Sequence, residues 1–240
     1  VGYPLHTNTD AVYFPSGEAK FEALLEELKK AEKYIFMEYF IVDFGYMWDS
    51  ILDILKEKAA QGVEVRFMYD GMNSLSKLPY NYYKTLRQFG IKTKVFCQII
   101  PALSTIHNNR DHRKIAVIDG KVAFTGGVNI ADEYINKKER LGYWKDAAIM
   151  IRGEAVSNFT LMFFFFFYHD EKKSNDDLKY LKEAHDAETE TTDTEGYFLA
   201  YGESPFDGDE VAKRVYLDMI QSATDYIYIM PPYLVLDDDM

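Results

Sequence analysis

A chain of 240 residues, 48% hydrophobic and 28% charged, is long enough to bury a sizeable core and to fold as one large domain or two small ones. Its net charge of −12 excludes broad electrostatic docking on nucleic acid or an anionic membrane, because both need an excess of Lys and Arg on the docking face. Its one cysteine, Cys97, excludes an intrachain disulfide and is expected to be a buried structural thiol. The most apolar stretch, 161–168, is far shorter than the roughly twenty residues a membrane-crossing helix needs. Val1-Gly2-Tyr3-Pro4 has neither the basic start nor the apolar run of a signal peptide, and a first residue other than Met suggests an excised piece.

In chain order, residues 11–14 form a short strand candidate, and Ser16 or Gly17 opens a helix with Phe21, Leu24, Leu25 and Leu28 on one face. Residues 34–42 alternate poorly but are rich in β-formers, which suits a buried strand. A helix over 47–61 is closed by Gly62, and a strand over 63–69 leads into Asp70-Gly71. A third helix over 79–89 stops at Gly90, and a strand follows over 91–96. Strands alternating with helices predict an α/β domain with a largely buried sheet.

The next stretch, Asn109-Arg110-Asp111-His112-Arg113-Lys114, opens an apolar run. His112 and Lys114 are two apart, so in a strand both leave the same face of the sheet, one as nucleophile or acid/base and the other as fixed positive charge. Asp119-Gly120 reads as a tight turn into a strand over 121–125. Beyond it, Gly126 and Gly127 lack side chains that would keep backbone amides from an anion, and Asn129 offers a further donor. Together these residues predict a phosphate site.

A strand over 144–152 and a helix over 153–168 follow, and five consecutive Phe at 163–167 predict a helix buried in the core. Residues 170–195 are charged, mostly acidic, and read as a mobile linker or surface excursion. Past it, Ala223-Thr224-Asp225-Tyr226-Ile227-Tyr228-Ile229 echoes Ala31-Glu32-Lys33-Tyr34-Ile35-Phe36-Met37, each after an amphipathic helix. A true repeat at that offset would put the counterpart of His112 beyond Met240.

The spacing from His112 through Lys114 and Asp119 to Gly126, Gly127 and Asn129 resembles the signature of the phospholipase D superfamily. Asn109-Arg110-Asp111-His112-Arg113-Lys114 and Thr125-Gly126-Gly127-Val128-Asn129-Ile130-Ala131-Asp132-Glu133-Tyr134 look more narrowly like bacterial cardiolipin synthases. Phe36-Met37-Glu38-Tyr39-Phe40, Met68-Tyr69-Asp70-Gly71 and Tyr143-Trp144-Lys145-Asp146 fit the same family. The resemblance implies a phospholipase D-like mixed sheet flanked by helices: a first half over 1–169, an acidic linker over 170–195, and the start of a second half over 196–240. It also implies a native protein attached to the bacterial cell membrane by an anchor lacking here.

The implied activity is phosphatidyl transfer. One phosphatidylglycerol loads His112, glycerol leaves, and a second phosphatidylglycerol accepts the phosphatidyl group, while Lys114, Asn129 and amides near Gly127 hold the phosphate oxygens. A second His, supplied in the family by the other half, protonates the leaving oxygen. Asp119 belongs to the signature and is carried with the catalytic set, but its odd offset from His112 sends it to the other face, which suits a turn former or structural acceptor. Asp146 is the candidate carboxylate for orienting His112, with Glu38 as a further one; Glu38, Asn109, Arg113 and His107 are candidate lining residues. His6, His169 and His185 are expected to be solvated. No metal or other cofactor is expected, and no nucleic-acid partner; the partners are a phospholipid, the membrane surface and a second copy of the chain. Two further readings stand beside the transferase: a phospholipase D-like hydrolase or nuclease using water, and a catalytically incomplete half that binds lipid phosphate.

Overall fold

The computed structural model describes residues 3–99, 109–169, 177–186, 195–203, 208 and 210–231, apart from the side chains of residues 74 and 184–186. It divides into two compact units, Tyr3–Ala200 and the chain from Tyr201 onward.

Local chemistry accounts for the elements of the larger unit. After β1 (Thr9–Phe14), the extended Ser16 accepts a hydrogen bond from Ala19 N at 3.3 Å and so caps α1 (Gly17–Lys30). Inward positions Lys20, Phe21, Leu24, Glu27 and Leu28 recur every three to four residues. β2 (Tyr34–Tyr39) is buried throughout. α2 (Tyr46–Ala60) turns Trp48, Ile51, Leu52 and Leu55 inward and ends before Gly62, whose φ of +92° suits a residue without a side chain. β3 (Glu64–Asp70), α3 (Asn73–Ser76), α4 (Tyr82–Gln88) and β4 (Lys92–Phe96) complete the first part. β5 (Lys114–Ile118) and β6 (Val122–Gly126) form a hairpin whose turn holds Asp119 at φ +53° and Gly120 at φ +68°. A 3-10 turn (Asp132–Ile135), β7 (Ala148–Gly153), α5 (Val156–Phe167) and α6 (Leu178–Asp186) follow.

The strands form one mixed seven-stranded sheet in the order β1-β7-β6-β5-β2-β3-β4. β2, β3 and β4 are parallel, whereas β5, β6, β7 and β1 pair antiparallel and β5 joins β2 antiparallel. One core, with Leu24, Trp48, Leu55 and Phe67, lies on the α1/α2 face; a second, with Phe36, Val117, Phe163 and Phe166, lies on the α5 face. Burial on both faces explains why 34–39 lacks a two-residue alternation. The Phe run is core, as expected: Phe163 stacks on Phe36 and Phe167 with ring centroids 5.1 Å apart in each case. Among the described residues no helix is long and apolar enough to cross a membrane.

Four expectations are corrected. The acidic stretch is not linker throughout: Asp177 takes Arg66 in a two-pronged ion pair at 2.7 and 3.0 Å, and Tyr180 of α6 packs edge-on against Tyr34 and Phe36. Cys97 is half-buried at φ +42° rather than buried. His6 is buried, not solvated, with its ring 3.4 Å from both Glu154 Oε2 and Asn158 Oδ1. His169 is exposed, and the His185 side chain lies outside the described residues. In the smaller unit α7 (Val211–Ser222) is helical, but 223–231 form no strand and 223–230 are exposed.

Candidate active site

Register brings the chemistry to one end of the sheet. Tyr39 pairs with both Tyr69 and Lys114, and Gly126 pairs with Ala148, so the carboxyl ends of β2, β3 and β6 adjoin the amino ends of β5 and β7. That is the end at which ligand sites gather in α/β sheets.

His112 stands exposed two residues ahead of β5, its ring tilted over Phe40 at 4.7 Å between centroids. Lys114 is buried, holds Nζ 5.4 Å from the same ring, and donates from Nζ to the His112 carbonyl oxygen. Partial desolvation by the surrounding protein, assisted by the Lys114 charge, holds the imidazole below its ordinary value of 6.5. Burial also pulls Lys114 down to about 8, against the opposing pull of Asp111 and Asp146. Near neutral pH the pair therefore offers an uncharged imidazole beside an ammonium group, which can attack phosphorus and hold a phosphate oxygen respectively.

Asp146 shares this edge, half-buried just ahead of β7. Ala147 N donates to its Oδ1 at 2.8 Å, and Trp144 Nε1 lies 3.4 Å from its Oδ2. Its carboxylate rests against Gly127, where a β-carbon would stand 2.0 Å from Oδ1; at Gly126, φ is +147° and a β-carbon would stand 2.5 Å from the Ala147 carbonyl oxygen. Both glycines are thus required for close approach by 146–148. The Gly127 amide is not turned to an anion, because it donates to Ala147 O at 3.0 Å.

Two signature residues are tied into the frame. Asn129 is buried: its Oδ1 accepts from Ile41 N at 2.9 Å and its Nδ2 donates to Tyr134 Oη at 2.8 Å, tying the segment after β2 to the one after β6. Asp119 lies at the other end of β5, about 20 Å from His112 by strand rise. Its carboxylate accepts from Glu32 N, Lys33 N and Tyr34 N at 2.7 to 2.8 Å, the structural role its odd offset suggested.

Glu38 neither touches the His112 ring nor lines its face. Side chains along 111–114 alternate: His112 and Lys114 go to the α1/α2 side, while Asp111 and Arg113 go to the α5 side, where Arg113 Nε donates to Glu38 Oε1 at 2.6 Å. Arg113 also lies over the Phe166 ring at 3.6 Å. Asn109 is half-buried ahead of this segment, and His107 lies outside the described residues.

Lys20 is a functional candidate the sequence reading passed over. It is 2% exposed, donates from Nζ to Tyr39 Oη at 2.8 Å, and lies within the field of Asp146, which opposes the burial that lowers it to about 7. The available signal was a lysine on the apolar stripe that also carries Phe21, Leu24 and Leu28.

Residues 24–160 match the family model described as cardiolipin synthase, PLD-like domain. An uncharacterized protein of Streptococcus mutans is 51% identical over all of this chain and 51% of its own length. A cardiolipin synthase of Geobacillus thermodenitrificans is 37% identical over 99% of this chain and 47% of its own length, and cardiolipin synthase 2 of Staphylococcus epidermidis is 33% identical over 97% and 47%. The chain spans about half the length of these curated relatives. In fold it is similar to the phosphatidylserine synthase of Haemophilus influenzae, with TM-score 0.53 at 14% identity over 82% of this chain and 47% of that one. It is likewise similar to Nuc of Salmonella typhimurium, a phospholipase D family member, with TM-score 0.50 at 16% identity over 68% and 95%.

Proposed function

The chain belongs to the cardiolipin synthase, PLD-like domain family, and from that premise we propose that it carries one catalytic half of a phosphatidyl transferase. The observation that carries this reading is the uncharged His112 imidazole standing exposed beside the Lys114 ammonium, with Asp146 on the same edge. A ring nitrogen of His112 attacks the phosphorus of phosphatidylglycerol, forming a P–N bond. The bond to the glycerol oxygen breaks, and that oxygen leaves with the electron pair and takes a proton from a general acid. The hydroxyl of a second phosphatidylglycerol then gives up its proton to that same group, now a base, and attacks; the P–N bond breaks with its electron pair returning to the ring nitrogen, and cardiolipin forms. Lys114 balances the phosphate charge through both steps, and Asp146 supports the imidazolium character that the ring acquires.

The general acid is assigned to a second histidine from outside this half. His6 is held by Glu154 and Asn158 beyond the opposite end of β7, away from this edge. In the proposed organisation 1–169 is the first half, 170–195 the acidic connection, and 196–240 the opening of the second half, a reading supported by the chain's span of about half its relatives. A second copy related by two-fold symmetry is the alternative source of the imidazole. The substrate is placed at a membrane surface.

The test is incubation of the chain and a His112→Ala control with phosphatidylglycerol in mixed micelles, with lipids and intact protein both read by mass spectrometry. Cardiolipin, or a phosphatidyl adduct on the chain, that requires His112 is the expected result. Phosphatidic acid in place of cardiolipin would assign water as acceptor and a hydrolase, and the absence of every His112-dependent product and adduct would reject the proposal.

A further inference from the structure

Glu38 and Asp111 converge on Arg113 on the face of the sheet opposite His112, directly behind the segment that presents it. Neither has any exposed surface. Glu38 Oε1 accepts from Arg113 Nε at 2.6 Å; Asp111 Oδ1 accepts from Arg113 N at 3.1 Å and has the same Nε at 3.7 Å. Their remaining oxygens, Glu38 Oε2 and Asp111 Oδ2, are buried and neither has a hydrogen-bond donor. Ionised carboxylates are acceptors alone, so two of them cannot satisfy each other; a single proton between them satisfies both.

The surrounding charges agree with that count. Asp70, at the end of β3, accepts from Asp111 N at 2.9 Å through Oδ2 and takes Arg110 at 3.3 Å through Oδ1, so Arg110 faces the Asp70 charge. Arg113 is the cation in direct contact with Glu38 and Asp111, and Lys114 is near enough for Asp111 to raise its proton affinity. From α5 come no charges, because that helix has no ionisable residue; it offers the Met162 carbonyl oxygen to Arg113 at 3.1 Å and the Phe166 ring. In direct contact one guanidinium faces two buried carboxylates, and the charge of Lys114 is divided between Asp111 and Asp146, so a proton held by the pair relieves the excess of negative charge.

We propose that Glu38 and Asp111 share one proton across Oε2 and Oδ2 and, as a neutral set with Arg113, are positioning residues that fix the backbone at 111–113 so that His112 projects over Phe40. Burial raises both groups, so one of the two holds the proton and donates it to the other. The arrangement lies within a continuous chain of contacts: Asp70 holds the amide of Asp111, Asp111 holds that of Arg113, and the residue between them is His112. Its catalytic consequence rests on the transferase reading, but the proton and the geometry do not.

The experiment uses the whole chain. Infrared spectroscopy near pH 7 is expected to show a protonated-carboxyl C=O band that Glu38→Gln removes; a band that is absent, or that persists in Glu38→Gln, overturns the shared proton. In proton NMR the His112 ring resonances, shifted by the Phe40 ring, stay in place in Glu38→Gln, whose amide still donates to Asp111, and move in Glu38→Ala. In turnover, kcat of Glu38→Gln stays within roughly threefold while that of Glu38→Ala falls by roughly tenfold to a hundredfold with a smaller change in KM. Equal damage by both substitutions would overturn the positioning role. If wild-type chain proves inactive, the infrared and NMR readings still decide the pair, so failure of the transferase reading stays distinct. Should Glu38→Ala fail to fold, the infrared comparison of wild type with Glu38→Gln decides it alone.

Discussion

The Asp146 carboxylate occupies the space where a side chain on Gly127 would be, with Oδ1 only 2.0 Å from the position of that missing β-carbon. An added methyl meets the end of a flexible side chain rather than backbone, so it displaces the carboxylate before it disturbs the sheet. Gly127→Ala should therefore leave stability within about 1 kcal/mol of wild type yet lower kcat roughly tenfold or more, because the Asp146 charge that acts on Lys114 has moved. Denaturant unfolding and steady-state kinetics on the same preparation check both halves of the statement.

The pH dependence of kcat/KM follows from His112 and Lys114. Nucleophilic attack needs the imidazole unprotonated, and its value lies below 6.5; phosphate binding needs Lys114 protonated, and its value is about 8. Activity should rise through the acidic limb as His112 loses its proton and fall on the alkaline side near 8 as Lys114 loses its own. Lys114→Arg, which keeps its charge, should remove the alkaline limb while lowering the maximum, because a guanidinium cannot reproduce a buried ammonium.

Lys20 makes a signed prediction about stability. In the unfolded chain it holds its proton up to its ordinary value of 10.5, whereas in the fold it releases the proton near 7. Between these values the unfolded state binds more protons, so this group's contribution to stability rises with pH there, is fully present above 10.5, and is lost as pH falls through 7. The span corresponds to about 5 kcal/mol at most. Lys20→Met should abolish that slope and gain most over wild type below pH 7, offset by the lost bond to Tyr39. Urea unfolding of both proteins at a series of pH values gives the difference directly.

Phe163 has no exposed surface and stacks on Phe36 of β2 and on Phe167 within α5. Phe163→Ala leaves a cavity in the α5-side core and should cost about 3–5 kcal/mol, with Phe163→Leu costing less. Thermal and urea unfolding measure both.

Arg66 is 3% exposed and is held by Asp177 and Glu64. Asp177→Ala removes the two-pronged partner of a buried guanidinium, leaves it to Glu64 and should cost about 3 kcal/mol, whereas replacing Arg66 and Asp177 together with apolar residues should cost much less. A double-substitution cycle by chemical denaturation separates the cases and tests whether the segment holding Asp177 docks on this sheet in solution.

The linear order of residues was enough to read the alternation of strands and helices, the burial of the Phe run, the pairing of His112 with Lys114 on one face, and the structural character of Asp119. Each depends on a short period or a spacing of a few residues, which backbone geometry converts into direction. Tertiary structure decided what the same residue types do once their partners arrive from afar. Asn129, with the donors of a phosphate ligand, meets Ile41 and Tyr134 instead; the Gly127 amide meets Ala147. Glu38 meets Arg113 because antiparallel pairing of β2 with β5 sets their ends side by side, and Lys20 comes under Tyr39 because α1 packs on that face. A polar group can be satisfied by many partners, and the one it takes is set by strand register and helix packing across long separations in sequence. Local pattern therefore located the candidate site, and long-range pairing assigned the work within it.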